Sequence, residues 1–336
     1  MRLAAILAAL LLASCGSDAQ TPLELRGSTM GTQFTVKITR HSEALDEARL
    51  RPQLDALLQG VNQMMSTYLR DSEISRFNSS QGVDWQSVSI EFCNSVVESL
   101  ELSELTDGGF DITAAPLVNL WGFGPEEIGF EPPTDAAIAD VMTYVGYDKL
   151  RADCSQPAVR RLAEGLMLDM SAYGKGYAVD RLADWLGAMG VEDYLVEIGG
   201  ELRVAGHNAA HQPWAIGIEV PRAGVREPYT VVHVSDTAIA TSGDYRNFFE
   251  YEGVRYSHEI DVRTGRPVTH QLAAVSIIDT QAARADALAT GLLVMGPQAG
   301  MELAIRENIA AMFLTRTNSG IEERVSPRFE EFRQRL

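Results

Sequence analysis

From Tyr194 to His258 the chain runs through one short extended segment after another. These are Tyr194 to Ile198, Glu201 to Ala205, Trp214 to Val220, Tyr229 to Ser235, Ala238 to Thr241, Phe248 to Tyr251 and Val254 to His258. Gly199-Gly200 and Glu252-Gly253 are two-residue turn signals between such segments. Strands joined by turns that short pair antiparallel, because a parallel return needs a crossover of a dozen residues or more. Helical periodicity lies on either side. Apolar residues at 54, 57, 58, 61 and 65 mark an amphipathic helix within Leu45 to Met65, and a second runs from Ile90 to Leu105 until Gly108-Gly109 stops it. Tyr177 to Met189, Ala282 to Met295 and Ala299 to Glu307 read as further helices, with a short one near 135–142. Gln33 to Thr39, Ala273 to Ile278 and Ala310 to Thr315 read as strands, as does Met167 to Met170, which leads into a glycine-containing turn. Residues 121–135 read as a loop or small lid. Helices and strands mix without strict βαβ alternation, so the expected class is α+β, with mixed, largely antiparallel sheets and flanking helices.

Several function classes fall away. No G-x-G-x-x-G follows a strand, and G-x-x-x-x-G-K-[ST], H-E-x-x-H and G-x-S-x-G are absent. The formal charge is −18 with no basic run, which excludes a nucleic-acid partner.

The amino terminus stands apart. Arg2 precedes an almost wholly Leu/Ala/Ile stretch from Leu3 to Leu12, and Leu12-Ala13-Ser14-Cys15 follows. That order reads as a secretory signal, with an apolar stretch too short to span a bilayer. Leu-Ala-Ser-Cys also resembles the bacterial lipobox, which implies cleavage before Cys15 and its lipidation; an ordinary signal peptide with an incidental cysteine is the alternative. Residues 1–14 are thus read as a lipoprotein signal peptide, 15–26 as a tether and 27–330 as the folded domain. Gly16 leaves inner- or outer-membrane sorting open. Cys93 and Cys154 remain, either as one disulfide or as two buried thiols; the unbridged state is the favoured expectation.

Four groups of residues carry chemistry. Asp286 and Thr290 lie one helical turn apart, so a carboxylate and a hydroxyl share a face, a donor pair suited to Mg²⁺. Asp169-Met170-Ser171-Ala172-Tyr173-Gly174-Lys175-Gly176 places small residues and a lysine at a helix start, where an anion is well received. Ser257-His258-Glu259-Ile260-Asp261, followed by Thr264-Gly265, sets a histidine able to take up a proton near neutral pH beside a tight turn. Gly27 to Thr32, Ser66-Thr67-Tyr68, Ser72 to Asn78 and Gly109 to Thr113 complete the set, with Met30 and Tyr68 suited to contact a flat ring. Singly, each segment also reads as an ordinary helix residue, turn or loop.

Together they resemble the ApbE family of FAD:protein FMN transferases. The resemblance rests on G-S-T-M-G-T, S-T-Y-x-x-x-S-E-I-S-R-F-N, G-G-F-D-I-T-A-A-P-L-V-N-L-W-G-F-G, L-D-M-S-A-Y-G-K-G-Y-A-V-D, E-I-G-G-E-L-R, A-T-S-G-D-Y-R-N-F-F, S-H-E-I-D-V-R-T-G-R-P-V and A-D-A-L-A-T, in that order from Gly27 to Thr315. It implies a T-fold-like α+β architecture with FAD in a cleft between two subdomains. It implies FAD contacts from Met30, Tyr68, Gly109, Phe110, Asp111, Asp169, Lys175 and Ile260. Mg²⁺ would be held by the Ala172 carbonyl and the side chains of Asp286 and Thr290. His258 would help an acceptor hydroxyl lose its proton, and Thr241, Ser242 and Asp244 would line the site. Acceptors would be flavoprotein subunits of the Na⁺-translocating NADH:quinone reductase or Rnf-type complexes, met at the periplasmic side of the inner membrane by a lipid-anchored enzyme. FAD pyrophosphatase activity and flavin binding without chemistry are the alternatives. Three positions depart from the family pattern: Glu259 and Val262 around Ile260-Asp261, and Ala172-Tyr173-Gly174 before Lys175.

Overall fold

The computed structural model describes residues 22–40, 45–125, 131–222, 224–245 and 247–333. Its centre is one eight-stranded sheet: β1 (Leu23–Thr29), β2 (Thr32–Ile38), β3 (Tyr194–Ile198), β4 (Glu201–Ala205), β5 (Thr237–Gly243), β6 (Leu272–Asp279), β7 (Ala310–Thr317) and β8 (Gly320–Val325). Spatial order equals chain order, and every neighbouring pair is antiparallel. The sheet is a meander into which longer excursions have been inserted.

The largest excursion, between β2 and β3, carries α1 (Glu47–Met65), α2 (Glu73–Ser79), α3 (Ile90–Leu105), α4 (Ala115–Leu120), α5 (Asp135–Met142) and α6 (Gly174–Ala188). The hairpin Trp214–Glu219/Pro228–Val234 joins β4 to β5. The ladder of Phe248–Tyr251 with Val254–Ser257 lies between β5 and β6. Helices α7 (Ala282–Met295) and α8 (Ala299–Arg306) connect β6 to β7, and α9 (Pro327–Arg333) follows β8.

The two-residue period sorts the strands between two cores. Ala238 and Ala240 of β5, Val275 and Ile277 of β6, and Ala311 and Phe313 of β7 face α1, α6 and α7. Their alternates Ile239, Ala274, Ile278, Met312 and Leu314 face the 214–234 hairpin and α9. Strands buried on both sides read as continuous apolar runs, as β6 and β7 do. A third, smaller cluster gathers Leu117, Trp121, Ile138, Val141, Val145, Ile260 and Val262 at one end. This cluster and the end of the main sheet are the two walls of the cleft described below.

Three expectations are corrected. Residues 23–26 belong to the folded domain and not to a tether, because Leu23 to Thr29 pair along β2 in full register. Met167 to Met170 form no strand. Their polar backbone is satisfied elsewhere: the Asn78 side chain both accepts from the Leu168 amide at 2.7 Å and donates to its carbonyl at 2.8 Å, and the Asp169 amide donates to the Ile112 carbonyl at 2.7 Å. Cys93 and Cys154 form a disulfide with Cα atoms 5.7 Å apart, tying the first turn of α3 to the end of the strand Leu150–Asp153. A sequence separation of 61 residues carries no information about that proximity. The signal segment and Cys15 lie outside the described residues. No helix among the described residues is long and apolar enough to cross a membrane.

Candidate active site

Two glycines let the site assemble. A Cβ on Gly176, in the first turn of α6, would sit 2.3 Å from the Ala282 carbonyl oxygen, so only a bare Cα lets α6 reach the start of α7. A Cβ on Gly109 would sit 2.7 Å from the Gly291 carbonyl oxygen, so the turn after α3 also rests on α7. The contact is fixed by polar groups. Asp180 of α6 accepts the Ala283 amide at 2.9 Å, capping α7 from a neighbouring helix, and Asp286 of α7 accepts the Gly176 amide at 3.1 Å. Side chains from three elements thereby open into one cavity of about 540 Å³.

Its polar floor is acidic and crossed by one cation. Lys175 Nζ lies 3.4 Å from Glu201 Oε1 on β4 and 3.8 Å from Asp286 Oδ2. Glu201 is 4% and Asp286 2% exposed. Burial, opposed by Lys175, pushes the Glu201 carboxyl up to about 8, and pushes that of Asp286 up as well. Burial works against the Lys175 ammonium too, but Asp286 and Glu201 outweigh it and raise its pKa. The two directions agree once the charges are counted: one ammonium cannot neutralise two carboxylates, so it stays charged while the carboxylates compete for a proton. Glu201 Oε2 is buried and has no hydrogen-bond partner among the described residues. Beside this cluster, Thr290 Oγ1 lies 2.8 Å from Ser242 Oγ on β5, and Thr241 Oγ1 lies 2.7 Å from Ser276 Oγ. A buried carboxylate, adjacent hydroxyls and an unpaired carboxylate oxygen are the donor chemistry that a hard divalent cation takes.

The opposite wall carries His258 and Glu259, just past the strand Val254–Ser257. His258 Nδ1 lies 3.0 Å from the Asn247 carbonyl oxygen. Ile260, Val262 and Phe123 extend this wall as an apolar surface, and Phe123 meets the His258 ring edge-on at 6.3 Å between centroids. Tyr68 stands at the cleft with 68% of its surface exposed.

Tyr68, Gly109, Phe110, Asp111, Asp169, Ala172, Lys175, His258, Ile260, Asp286 and Thr290 all line this cavity, with Thr241 and Ser242. Asp111 spends its carboxylate on structure, with Oδ1 accepting from the Thr113 amide and hydroxyl and Oδ2 from the Tyr147 amide. Asp169 Oδ1 accepts the Ser171 amide at 2.7 Å. Met30 sits at the β1–β2 turn with φ 49°, packed on the main core. One expectation does not hold. Asp244 turns away to Arg316, at 2.5 and 2.8 Å, and to Arg255 at 3.4 Å, forming a half-buried ion cluster. Glu201 went unnoticed in the sequence because Leu202 and Val204 mark the apolar face of β4, which makes its other face read as solvated. Ile216 and Ile218 of the hairpin, which extend the cavity, carry no local signal.

The chain's relatives share both the sequence and this architecture. The model of the ApbE family matches residues 30–313. FAD:protein FMN transferase of Vibrio cholerae is 41% identical over 330 residues, 98% of either chain. That of Haemophilus influenzae is 37% identical, covering 97% of this chain and 96% of its own. Among solved structures, the flavin transferase ApbE from Vibrio cholerae superposes with a TM-score of 0.86 at 39% identity, covering 93% of this chain and 99% of its own. The apo form of Pseudomonas stutzeri flavinyl transferase ApbE gives 0.85 at 38%, covering 93% and 96%. The fold is that of the flavin transferase class. Matched over most of its length, the chain belongs to the ApbE family.

Proposed function

We propose that this protein is an Mg²⁺-dependent FAD:protein FMN transferase, which moves FMN from FAD onto a Ser or Thr hydroxyl of a target flavoprotein and releases AMP. One observation carries the reading: Lys175, Asp286 and Thr290 open into the same cleft as His258, with aromatic and apolar surface between the polar groups. The protein residues have distinct tasks. Lys175, in the first turn of α6, offers positive charge to the FAD diphosphate. Tyr68, Ile260 and the Gly109–Asp111 turn present surface for the flavin and ribose. Nδ1 of His258 faces a carbonyl, which can only accept, so Nε2 is the basic nitrogen of the neutral ring and takes the acceptor hydroxyl's proton. The freed oxygen bonds to the FMN phosphorus, the P–O bond to the bridging oxygen breaks, and AMP leaves with that electron pair. Mg²⁺ would be held by Asp286, the Thr290 hydroxyl and the Ala172 carbonyl, and when bound it supplies charge neutralisation at the diphosphate.

The proposed setting is the periplasmic side of the inner membrane, with Cys15 lipidated and the acceptors subunits of Na⁺-translocating NADH:quinone reductase or Rnf-type complexes. The Leu-Ala-Ser-Cys segment supports the anchor. The Cys93–Cys154 disulfide supports an oxidising compartment. Labelled palmitate incorporated by wild type and lost in Cys15→Ser, with release of the protein from membranes, is the expected result; an unlabelled wild type refutes the anchor.

The activity is tested by incubating the mature protein with FAD, Mg²⁺ and a candidate acceptor. Flavin fluorescence on the acceptor band in a denaturing gel supports transfer. Free FMN and AMP alone would show a pyrophosphatase, and unchanged FAD a binding protein.

A further inference from the structure

The cleft holds one more carboxylate beside its histidine than the proposed chemistry uses. Adjacent residues on an extended strand point to opposite faces, yet His258 and Glu259 both line the cavity. The reason is local. The strand ends at Ser257, whose hydroxyl accepts the Glu259 amide at 3.2 Å, and the Glu259 carbonyl accepts the Val268 amide at 2.9 Å. This bend brings both side chains to one wall. Glu259 is 7% exposed, and its Oε1 lies 3.6 Å from His258 Nε2. Nε2 is the nitrogen left basic by the contact of Nδ1 with the Asn247 carbonyl.

Resting on the flavinyl-transfer reading, we propose that Glu259 is a positioning residue that acts through His258, holding a counter-charge against Nε2 for the imidazolium formed when the acceptor hydroxyl loses its proton. In that step the O–H bond breaks and an N–H bond forms at Nε2. The hydroxyl oxygen bonds to the FMN phosphorus, and AMP departs with the electrons of the broken P–O bond. Glu259 gains and loses no atom. A new positive charge in a half-buried cleft is costly without a partner, and a fixed carboxylate offsets that cost at the moment it arises.

The other charged groups near Glu259 are already engaged. Lys175 of α6 is held by Glu201 and by Asp286 of α7. Asp244, after β5, is held by Arg316 of β7 and by Arg255 of the strand that precedes His258. Among the described residues, His258 is the cation-forming group placed against Glu259. Burial, opposed by His258, raises the proton affinity of the Glu259 carboxyl.

The experiment measures acceptor flavinylation against pH for wild type, Glu259→Gln, Glu259→Asp and His258→Asn, together with FAD binding by flavin fluorescence without acceptor. Glu259→Gln should lower kcat roughly 10- to 100-fold. It should leave FAD affinity within about twofold, since the lost interaction is with the charged base. The acid limb of its profile should move to lower pH by roughly one unit, because no carboxylate holds a proton at Nε2. Glu259→Asp should restore part of both effects. A slowed Glu259→Gln enzyme with an unmoved acid limb would mean a merely structural role and overturn the proposal, as would loss of FAD binding. A wild-type-like Glu259→Gln beside an inactive His258→Asn overturns this inference alone; an active His258→Asn overturns the assignment of the base and this inference with it.

Discussion

The amide of Gly176 donates to Asp286 Oδ2 at 3.1 Å, so the residue after the cleft lysine and the carboxylate of the candidate metal site are bonded across two helices. Lysine and carboxylate therefore cannot move independently, and the spacing of the polar floor is set by how closely α6 and α7 pack.

Gly176→Ala should separate them. The added carbon would meet main-chain atoms of Ala282 and Ala283 at 2.3 to 2.7 Å, and backbone cannot rotate aside. Destabilisation of about 1–3 kcal/mol is expected, with transferase activity falling further than stability alone explains. Chemical denaturation and flavinylation rates on the same preparation check this; a variant with unchanged midpoint and rate would contradict the tight helix contact.

Asp286→Asn tests function against stability. It removes one of the buried carboxylates that crowd Lys175, so the thermal midpoint should hold or rise. Turnover should fall by roughly 10²–10³ through loss of the charged ligand, with no recovery at raised Mg²⁺. Full activity would refute Asp286 as a metal ligand.

The acidic floor also sets the pH dependence of stability. Burial lifts the folded-state pKa of Glu201 from an ordinary 4.5 to about 8, and the Asp286 and Glu259 carboxyls shift in the same direction. The folded state therefore keeps protons that the unfolded chain has released, and stability must fall as pH climbs from about 4.5 to about 8. Lys175, raised from 10.5, keeps its contribution below that pH and loses it only above. Metal-free wild type should show a thermal midpoint declining across that window, and Glu201→Gln a flatter profile. A flat wild-type profile would refute the clustered arrangement.

The disulfide is a separate stabilising element. Cys93→Ser with Cys154→Ser should cost about 2–4 kcal/mol by freeing the unfolded chain, without changing FAD affinity, since neither residue lines the cleft. Denaturation of the double variant beside flavin titration tests both halves.

Much of the site was legible in the sequence, and the failures have physical causes. Asp286 and Thr290 share a face because helical spacing is fixed by the chain itself. The Lys175 segment announced itself through small residues before a helix start, and the Gly199-Gly200 turn through its backbone requirement. Asp244 misled because a polar residue near a motif looks the same whether it faces a ligand or, as here, Arg316 and Arg255. Glu201 was missed because strand alternation assigns faces but cannot say that both are covered.

Local rules therefore settled what the chain decides within a few residues: the α+β class, six of the meander's eight strands, the longer helices and the turn glycines. Tertiary packing alone decided which distant groups meet. The Cys93–Cys154 bridge, the pairing of Glu201 with Lys175, and the bend that turns Glu259 toward His258 depend on contacts between elements far apart in the chain or on how a strand ends, and a one-dimensional pattern does not encode those distances.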